Sequence, residues 1–304
     1  MRQIKLKWDV SHLTPYSVPV TLSGSLFAPD QKLAIEDPIE LLVCLHGGSC
    51  SGEYFHPSYL DASYSFARFM TDHCYLVLAL DTLGMGNSSR PEPEKQLTLE
   101  IIAAASDFAA RQTAAALQDG QWPQLQLPPH SKLRLSGLGH SMGGMLSVYQ
   151  QGRFKSFERL IVAGWSNLPL DLGDTDVTDV QASLSAGGYI PTDREAMRGF
   201  FHLPDVPEDL IERDDQHAGL TPVTLALAAL TPGAVTKEAD AINCPVLLLY
   251  GEVDVSPDPQ RETSFYPHAS DRTITLIRHA AHMHNMASSR LRVWQTMDSW
   301  LQEH

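Results

Sequence analysis

The chain has 304 residues, of which 43% are hydrophobic, and it carries a formal net charge of −14. That length suits one large domain or two ordinary ones. The acidic residues are spread along the chain without a basic run, which argues against nucleic acid or an anionic membrane surface as a partner. No apolar run reaches the roughly 18 residues of a membrane span, and the first ten residues lack the continuous apolar region of a signal peptide. We therefore expect a cytoplasmic location.

Strand and helix patterns alternate through the first half of the chain. Residues 4–8 and 18–27 alternate apolar and polar side chains, which predicts an antiparallel strand pair at a sheet edge. Six later runs also predict strands, and those at 39–45 and 75–80 are apolar on nearly every residue, as in strands covered on both faces. The six runs are residues 39–45, 75–80, 133–138, 159–163, 245–250 and 273–277, and helical patterns occupy 62–71, 97–117, 142–151 and 291–301. This rhythm predicts a mostly parallel sheet with helices on both faces.

The strand pattern stops after Trp165 and resumes only at Pro245. Between them the sequence is not of low complexity, which favours a folded insertion over disorder. We predict a core domain from residues 1–165 and 243–304, and a helical cap from residues 166–242. Its short helical patterns cover residues 177–184, 194–201, 208–215 and 221–230. Its aromatic and leucine side chains, Tyr189, Phe200, Phe201 and those of 225–230, either line a pocket facing the sheet or form the cap's own small core.

A G-x-S-x-G pattern, Gly139-His140-Ser141-Met142-Gly143, joins a predicted strand to a predicted helix. To lift a serine hydroxyl above a sheet, the chain must turn from strand to helix within a residue. Glycines two residues before and two after the serine remove the Cβ atoms that would collide in that turn. The N–H groups that begin the helix point to where an oxyanion would form. The motif predicts that Ser141 is a nucleophile, although alone it also fits a structural turn.

Other polar groups follow the carboxyl ends of neighbouring predicted strands, the edge at which open α/β sheets place their sites. Asp254 follows one strand and His282 follows the last. A serine hydroxyl needs a base, and an imidazole has a suitable pKa. The imidazole in turn needs a carboxylate to hold its tautomer. The chain order Ser141, Asp254, His282 therefore predicts a catalytic triad, while we interpret Asp81 as a cap of its own turn.

Five motifs together resemble the α/β-hydrolase superfamily over nearly the whole chain. They are His46-Gly47-Gly48-Ser49, the Asp81-to-Ser88 turn, Gly139-His140-Ser141-Met142-Gly143-Gly144, Gly251-Glu252-Val253-Asp254 and Ala281-His282. The resemblance implies the α/β-hydrolase fold, with a mostly parallel central sheet flanked by helices and an inserted helical cap. It also implies that Ser141 is the nucleophile, that His282 is the base and that Asp254 orients this base.

The same resemblance assigns the oxyanion hole to the N–H groups of Met142 and Gly48. Ser49 is a further candidate donor, because the residue that donates varies between branches. The activity implied is hydrolysis of a carboxylic ester or lactone of a small, fairly apolar substrate through an acyl-enzyme, without a cofactor. A serine nucleophile argues against epoxide hydrolases and haloalkane dehalogenases, which form an alkyl ester on a carboxylate.

One departure from the family pattern lies beside the predicted base. Relatives usually carry glycine where Ala281 stands, and His279 and His284 flank His282 in an H-x-x-H-x-H spacing. A metal site is the poorer interpretation, because no acidic or cysteine partner follows at ligand spacing. We predict no metal ion and keep His284 as the second candidate for the base.

Three other functions are compatible with this fold. Hydrolases that cleave carbon–carbon bonds of ring-fission products usually show G-P-G after the first His-Gly pair, which is lacking here. Proline-directed aminopeptidases tend to carry tryptophan where Met142 stands. A non-catalytic small-molecule binding protein on the same fold would not need the intact triad. The oligomeric state stays open between a monomer and a homodimer.

Overall fold

The computed structural model describes residues 1–31, 38–125, 132–172, 178, 181–182, 184 and 187–304. Within these residues, eight strands form one sheet in the order β1-β2-β4-β3-β5-β6-β9-β10. Strand β2 is antiparallel to both of its neighbours, and the other pairs are parallel. The predicted fold class and the antiparallel pair at one edge are thus confirmed. The strands are β1 Arg2–Asp9, β2 Thr21–Ala28, β3 Ile39–Leu45, β4 Leu76–Asp81, β5 Leu133–His140, β6 Arg159–Ala163, β7 Tyr189–Ile190, β8 Thr221–Pro222, β9 Val246–Val253 and β10 Arg272–Ala281.

Helices flank this sheet, in agreement with the prediction. Within the described residues they are α1 Phe66–Asp72, α2 Leu99–Gln118, α3 Met142–Phe154, α4 Arg198–Phe201, α5 Glu208–Asp215, α6 Val223–Ala229, α7 Thr236–Asp240, α8 Pro259–Glu262 and α9 Arg290–Glu303. The pattern over 62–71 predicted one helix, but a 3₁₀ turn at Ala62–Tyr64 comes first and α1 begins only after Ser65. The Ser65 side chain accepts from the N–H of Arg68 and so caps α1. None of the described helices is both long and apolar enough to cross a bilayer.

The central strands are buried because both of their faces are covered. Every residue of β3 is buried, and the one charged side chain among them, Glu40, forms an ion pair with Arg159 of β6. Ser136 of β5 donates to the same carboxylate. A charge can be buried there because it has a paired cation and a hydrogen-bond donor. Together, Glu40, Ser136 and Arg159 connect the adjacent strands β3, β5 and β6, away from the sheet edge that carries the predicted site.

Residues 166–242, called the cap segment below, contain α4 to α7 and the small antiparallel pair of β7 and β8. The pattern over 221–230 predicted a helix from Thr221, but Thr221 and Pro222 pair with β7 and α6 starts at Val223. In the pattern over 194–201 only Arg198–Phe201 is α-helical. The predicted helix over 177–184 lies largely outside the described residues. The domain boundaries themselves remain a prediction.

Candidate active site

The turn formed by Gly139 to Gly143, called the elbow below, lies between β5 and α3. Ser141 has φ 54° and ψ −124°, a backbone conformation that is strained for a residue with a side chain. Its N–H donates to the carbonyl of Ala163 over 2.8 Å, which ties the turn to β6. A Cβ on Gly139 would lie 2.2 Å from the Gly143 carbonyl oxygen, and one on Gly143 would lie 2.1 Å from that of Leu45. Both positions therefore need glycine for steric reasons.

The side chains of Ser141, His282 and Asp254 form a continuous hydrogen-bonded chain. The Oγ atom of Ser141 lies 2.8 Å from Nε2 of His282, and Nδ1 of His282 lies 2.6 Å from Oδ1 of Asp254. A carboxylate only accepts, so Nδ1 carries the proton and Nε2 is free to accept from the serine hydroxyl. Gly164 (φ 60°) makes room for this pair, since a Cβ there would lie 3.2 Å from both side chains. The three predicted residues thus lie together in the geometry that proton transfer from serine requires.

Asp254 accepts four hydrogen bonds. Besides His282, the donors are Nε2 of His284 at 2.7 Å and the N–H groups of Gly251 and Val255 at 2.8 and 2.9 Å. Burial alone would raise the pKa of Asp254, but the imidazoles and their hydrogen bonds outweigh burial and hold the pKa well below its usual range. The carboxylate is therefore ionised and fixed in direction at neutral pH.

The hydrogen bond of His284 is to the other oxygen of Asp254, while Oγ of Ser141 is bonded to His282. Sequence reasoning missed a third imidazole, His140, whose ring centroid lies 5.0 Å from that of His282 and 5.1 Å from that of His284. Its Nε2 lies 2.7 Å from the carbonyl oxygen of His282, and its ring stacks on Tyr54. Burial, together with the two neighbouring histidines, lowers the pKa of His140 well below its usual range, so this ring is neutral. The one sequence signal for His140 was its position directly before the serine of the G-x-S-x-G motif.

The remaining residues singled out from sequence lie away from this centre. Asp81 accepts from the N–H groups of Gly52 and Asn87 at 2.7 and 2.9 Å and so organises its turn. His279 is exposed and has φ 60°. In the part of the chain that the structure describes, no group of three or more His, Cys, Asp or Glu residues is arranged to hold a metal ion.

Two backbone N–H groups beside Ser141 are available to an oxyanion. Those of Met142 and Gly48 donate to no acceptor among the described residues, and both residues line the same cavity as Ser141. The N–H of Ser49 instead donates to Oγ1 of Thr221 at 2.9 Å. Of these two neighbouring residues, only Gly48 therefore has an N–H without an acceptor among the described residues.

A cavity of about 460 Å³ opens above Ser141 between the sheet edge and the cap segment. Its described lining is dominated by aliphatic and aromatic side chains, and Asp193 is the one Asp, Glu, Lys or Arg residue in it. Of the cap residues left open between a pocket and a separate core, Phe200, Phe201, Ala226, Ala229 and Leu230 line the cavity. The Phe200 ring also stacks on His282, with the centroids 4.7 Å apart. The described cap side chains in the lining are Leu170, Leu172, Leu184, Ile190, Pro191, Thr192, Asp193, Ala196, Met197, Phe200, Phe201, Thr221, Ala226, Ala229 and Leu230.

The sequence profile of the alpha/beta hydrolase family matches residues 42–294, and the chain belongs to this family. Membership in this family supports the classification of the protein as a hydrolase. A comparison with curated protein sequences gives no match.

Solved structures with the same fold include several hydrolases. A thermophilic esterase from Thermogutta terrifontis, with malate bound, superposes with a TM-score of 0.66 at 16% identity, covering 100% of this chain and 99% of that one. E-2-(acetamidomethylene)succinate hydrolase gives 0.63 at 16% identity, covering 99% and 100%. Proline iminopeptidase from Mycobacterium smegmatis gives 0.59 at 17% identity, covering 96% and 97%. At these identities the likeness is one of fold.

Proposed function

We propose that this protein is a serine hydrolase that cleaves a carboxylic ester or lactone of a small, neutral, mostly apolar substrate. The observation that carries the proposal is the chain of hydrogen bonds from Ser141 through His282 to Asp254, directed into an apolar cavity. The two free N–H groups beside the serine complete what acyl transfer requires.

In the proposed reaction, Oγ of Ser141 attacks the carbonyl carbon of the substrate while its proton moves to Nε2 of His282. Asp254 stabilises the imidazolium that forms. The N–H groups of Met142 and Gly48 donate to the oxyanion of the tetrahedral intermediate. The intermediate collapses, the imidazolium protonates the departing alkoxide, and the acyl group stays on Ser141. Water then attacks the acyl-enzyme while its proton moves to Nε2 of His282. As this second intermediate collapses, the imidazolium returns the proton to Oγ of Ser141 and the acid is released.

The charge of the cavity supports a neutral substrate. Among the described lining residues there is no Lys or Arg to pair with a substrate carboxylate, and Asp193 would repel one. A carboxylate moved from water into such a surface without a partner loses more hydration than it regains. One structural neighbour is named for a succinate derivative, but the described lining here offers no cation for a dicarboxylate.

The test measures p-nitrophenyl ester hydrolysis, with acetate, butyrate, hexanoate and octanoate as acyl groups. The hemisuccinate is compared with the butyrate, because it adds a terminal carboxylate to a similar acyl chain. We expect kcat/KM to be at least about 100-fold higher for the butyrate, because the carboxylate would be buried without a partner. Ser141→Ala is the control and should lose at least about 10⁴-fold in kcat.

Two results would contradict the proposal. Turnover that survives in Ser141→Ala would remove the assigned nucleophile. A folded wild-type protein that hydrolyses no ester or lactone would point elsewhere, and adding ring-fission diketones and proline amides to the panel separates the other hydrolases from a binding protein.

A further inference from the structure

Every polar group of Ser49 is bonded to the cap segment. Its N–H donates to Oγ1 of Thr221 at 2.9 Å, its carbonyl accepts from the N–H of Gly219 at 2.7 Å, and its hydroxyl accepts from Nη1 of Arg194 at 3.3 Å. Ser49 is 1% exposed, so water does not compete for these groups. Ser49, the residue directly after the proposed oxyanion donor Gly48, is therefore held by hydrogen bonds to the cap segment.

The backbone of Ser49 needs this support. Its φ is 55°, in the left-handed region that residues with a side chain rarely adopt. Such conformations persist only where surrounding contacts determine them. The three bonds from the cap segment are the contacts that hold Ser49 in this conformation.

The bond from Ser49 to Thr221 also fixes the direction of the peptide between Gly48 and Ser49. In a trans peptide the N–H and C=O groups point in opposite directions. Thr221 lines the cavity. Because the Ser49 N–H donates to Thr221, the Gly48 carbonyl oxygen points away from Thr221. A flip of this peptide would turn that oxygen toward Thr221, where its lone pairs would repel a developing oxyanion.

The arginine that bonds Ser49 is itself fixed. Arg194 is 7% exposed, and its guanidinium forms ion pairs with Asp214 and, at 2.5 Å, with Asp215. It also lies over the ring of Phe201, 5.6 Å from the centroid. The main-chain carbonyl of Phe201 accepts from the N–H of Met283, next to the proposed base. The cap segment thus contacts both the loop of Gly48 and the loop of His282.

We propose that Thr221 is a positioning residue for the oxyanion hole, and that docking of the cap segment on Ser49 sets the hole in its active geometry. This inference rests on the proposed function, since it assigns a cause to the orientation of the Gly48 carbonyl, which belongs to the peptide directly after the donor N–H used in acyl transfer. It predicts that the cap acts on the chemical step in addition to enclosing the substrate.

The experiment compares Thr221→Val, which removes the acceptor at nearly constant volume, with Thr221→Ser, which keeps it. Removing an oxyanion donor outright costs on the order of 10²–10³ in kcat. Because Thr221→Val leaves the Gly48 carbonyl free to turn toward the oxyanion, we expect kcat to fall about 10- to 100-fold, with KM within about threefold of wild type. Thr221→Ser should restore kcat to within about threefold.

A transition-state analogue provides a second measurement. An alkyl trifluoromethyl ketone adds to the nucleophile and places an oxyanion in the hole, so its Ki should rise in Thr221→Val by about the same factor as kcat falls. The matched control is Thr224→Val, because Thr224 follows in the same segment and its side chain makes no hydrogen bond among the described residues. Its kcat and Ki should stay at the wild-type values.

The outcomes separate this inference from the proposed function. If wild type hydrolyses esters and Ser141→Ala does not, but Thr221→Val matches Thr224→Val in kcat and Ki, only this inference fails. A change in KM alone would also overturn it, because it would show a binding role. If wild type shows no turnover, the proposed function fails and this inference fails with it. Should Thr221→Val not fold, Thr221→Ala removes the same acceptor and replaces it in each comparison.

Discussion

Replacing each of the two imidazoles on Asp254 identifies the base. His282→Gln and His284→Gln are matched changes at the two oxygens of one carboxylate. Gln at 282 cannot take the proton of Ser141, so kcat should fall by at least about 10⁴-fold. At 284 it is Nε2 that donates to Asp254, and the amide nitrogen of Gln can occupy a similar place. We expect His284→Gln to keep kcat within about tenfold of wild type.

A third variant, His284→Leu, gives the size of the His284 contribution. It removes one of the four hydrogen bonds that Asp254 accepts. A hydrogen bond to a charged group contributes about 1.5–3 kcal/mol net, so the free energy of unfolding should fall by about that amount. The other three donors still hold the carboxylate, and kcat should fall less than about 100-fold.

The assay is p-nitrophenyl butyrate hydrolysis at pH 8, with urea unfolding of each variant to show that it is folded. If His284→Gln lost as much activity as His282→Gln while remaining folded, the assignment of the base from geometry would be wrong. Equal, small losses in both variants would show that neither imidazole takes the serine proton.

Three further predictions follow from burial and packing. Burial lowers the pKa of His202 to about 4. At a pH below the ordinary histidine pKa of about 6.5, the unfolded chain therefore binds a proton at this residue that the folded chain does not. The free energy of unfolding should fall by about 3 kcal/mol between pH 6.5 and 4, and His202→Leu should remove that part of the slope in urea unfolding. Gly143→Ala would place a Cβ 2.1 Å from a backbone oxygen, whereas Gly199 has nothing within 4 Å. Gly143→Ala should therefore cost at least about 3 kcal/mol and Gly199→Ala less than about 1 kcal/mol; equal thermal shifts would contradict the steric argument. Ala229→Phe would fill part of the cavity. It should lower kcat/KM for octanoate at least about tenfold and leave acetate within about threefold; an unchanged chain-length profile would show that acyl chains bind elsewhere.

Local sequence patterns determined most of the fold. Strands β3 and β4 are nearly continuous apolar runs, and they were recognisable because both of their faces are covered. The elbow was recognisable because Gly139 and Gly143 are fixed by steric exclusion, a constraint that acts over a few residues. Boundaries were predicted less well where a distant partner decided them. Helix α6 starts at Val223 and not at Thr221 because Thr221 pairs with β7, about thirty residues earlier in the chain.

Residue types and chain order were enough to name the candidates for each role, because they state which chemistry is available. Tertiary structure decided between candidates of equal chemistry. His282 and His284 are the same side chain two residues apart, and only the direction of each ring places one on Ser141 and the other on the far oxygen of Asp254. Gly48 and Ser49 both offer a backbone N–H, and only the hydroxyl of Thr221, 172 residues away, occupies one of them. A hydrogen bond depends on its donor–acceptor distance, to within a fraction of an ångström, and on its angle. No pattern along the chain carries that information.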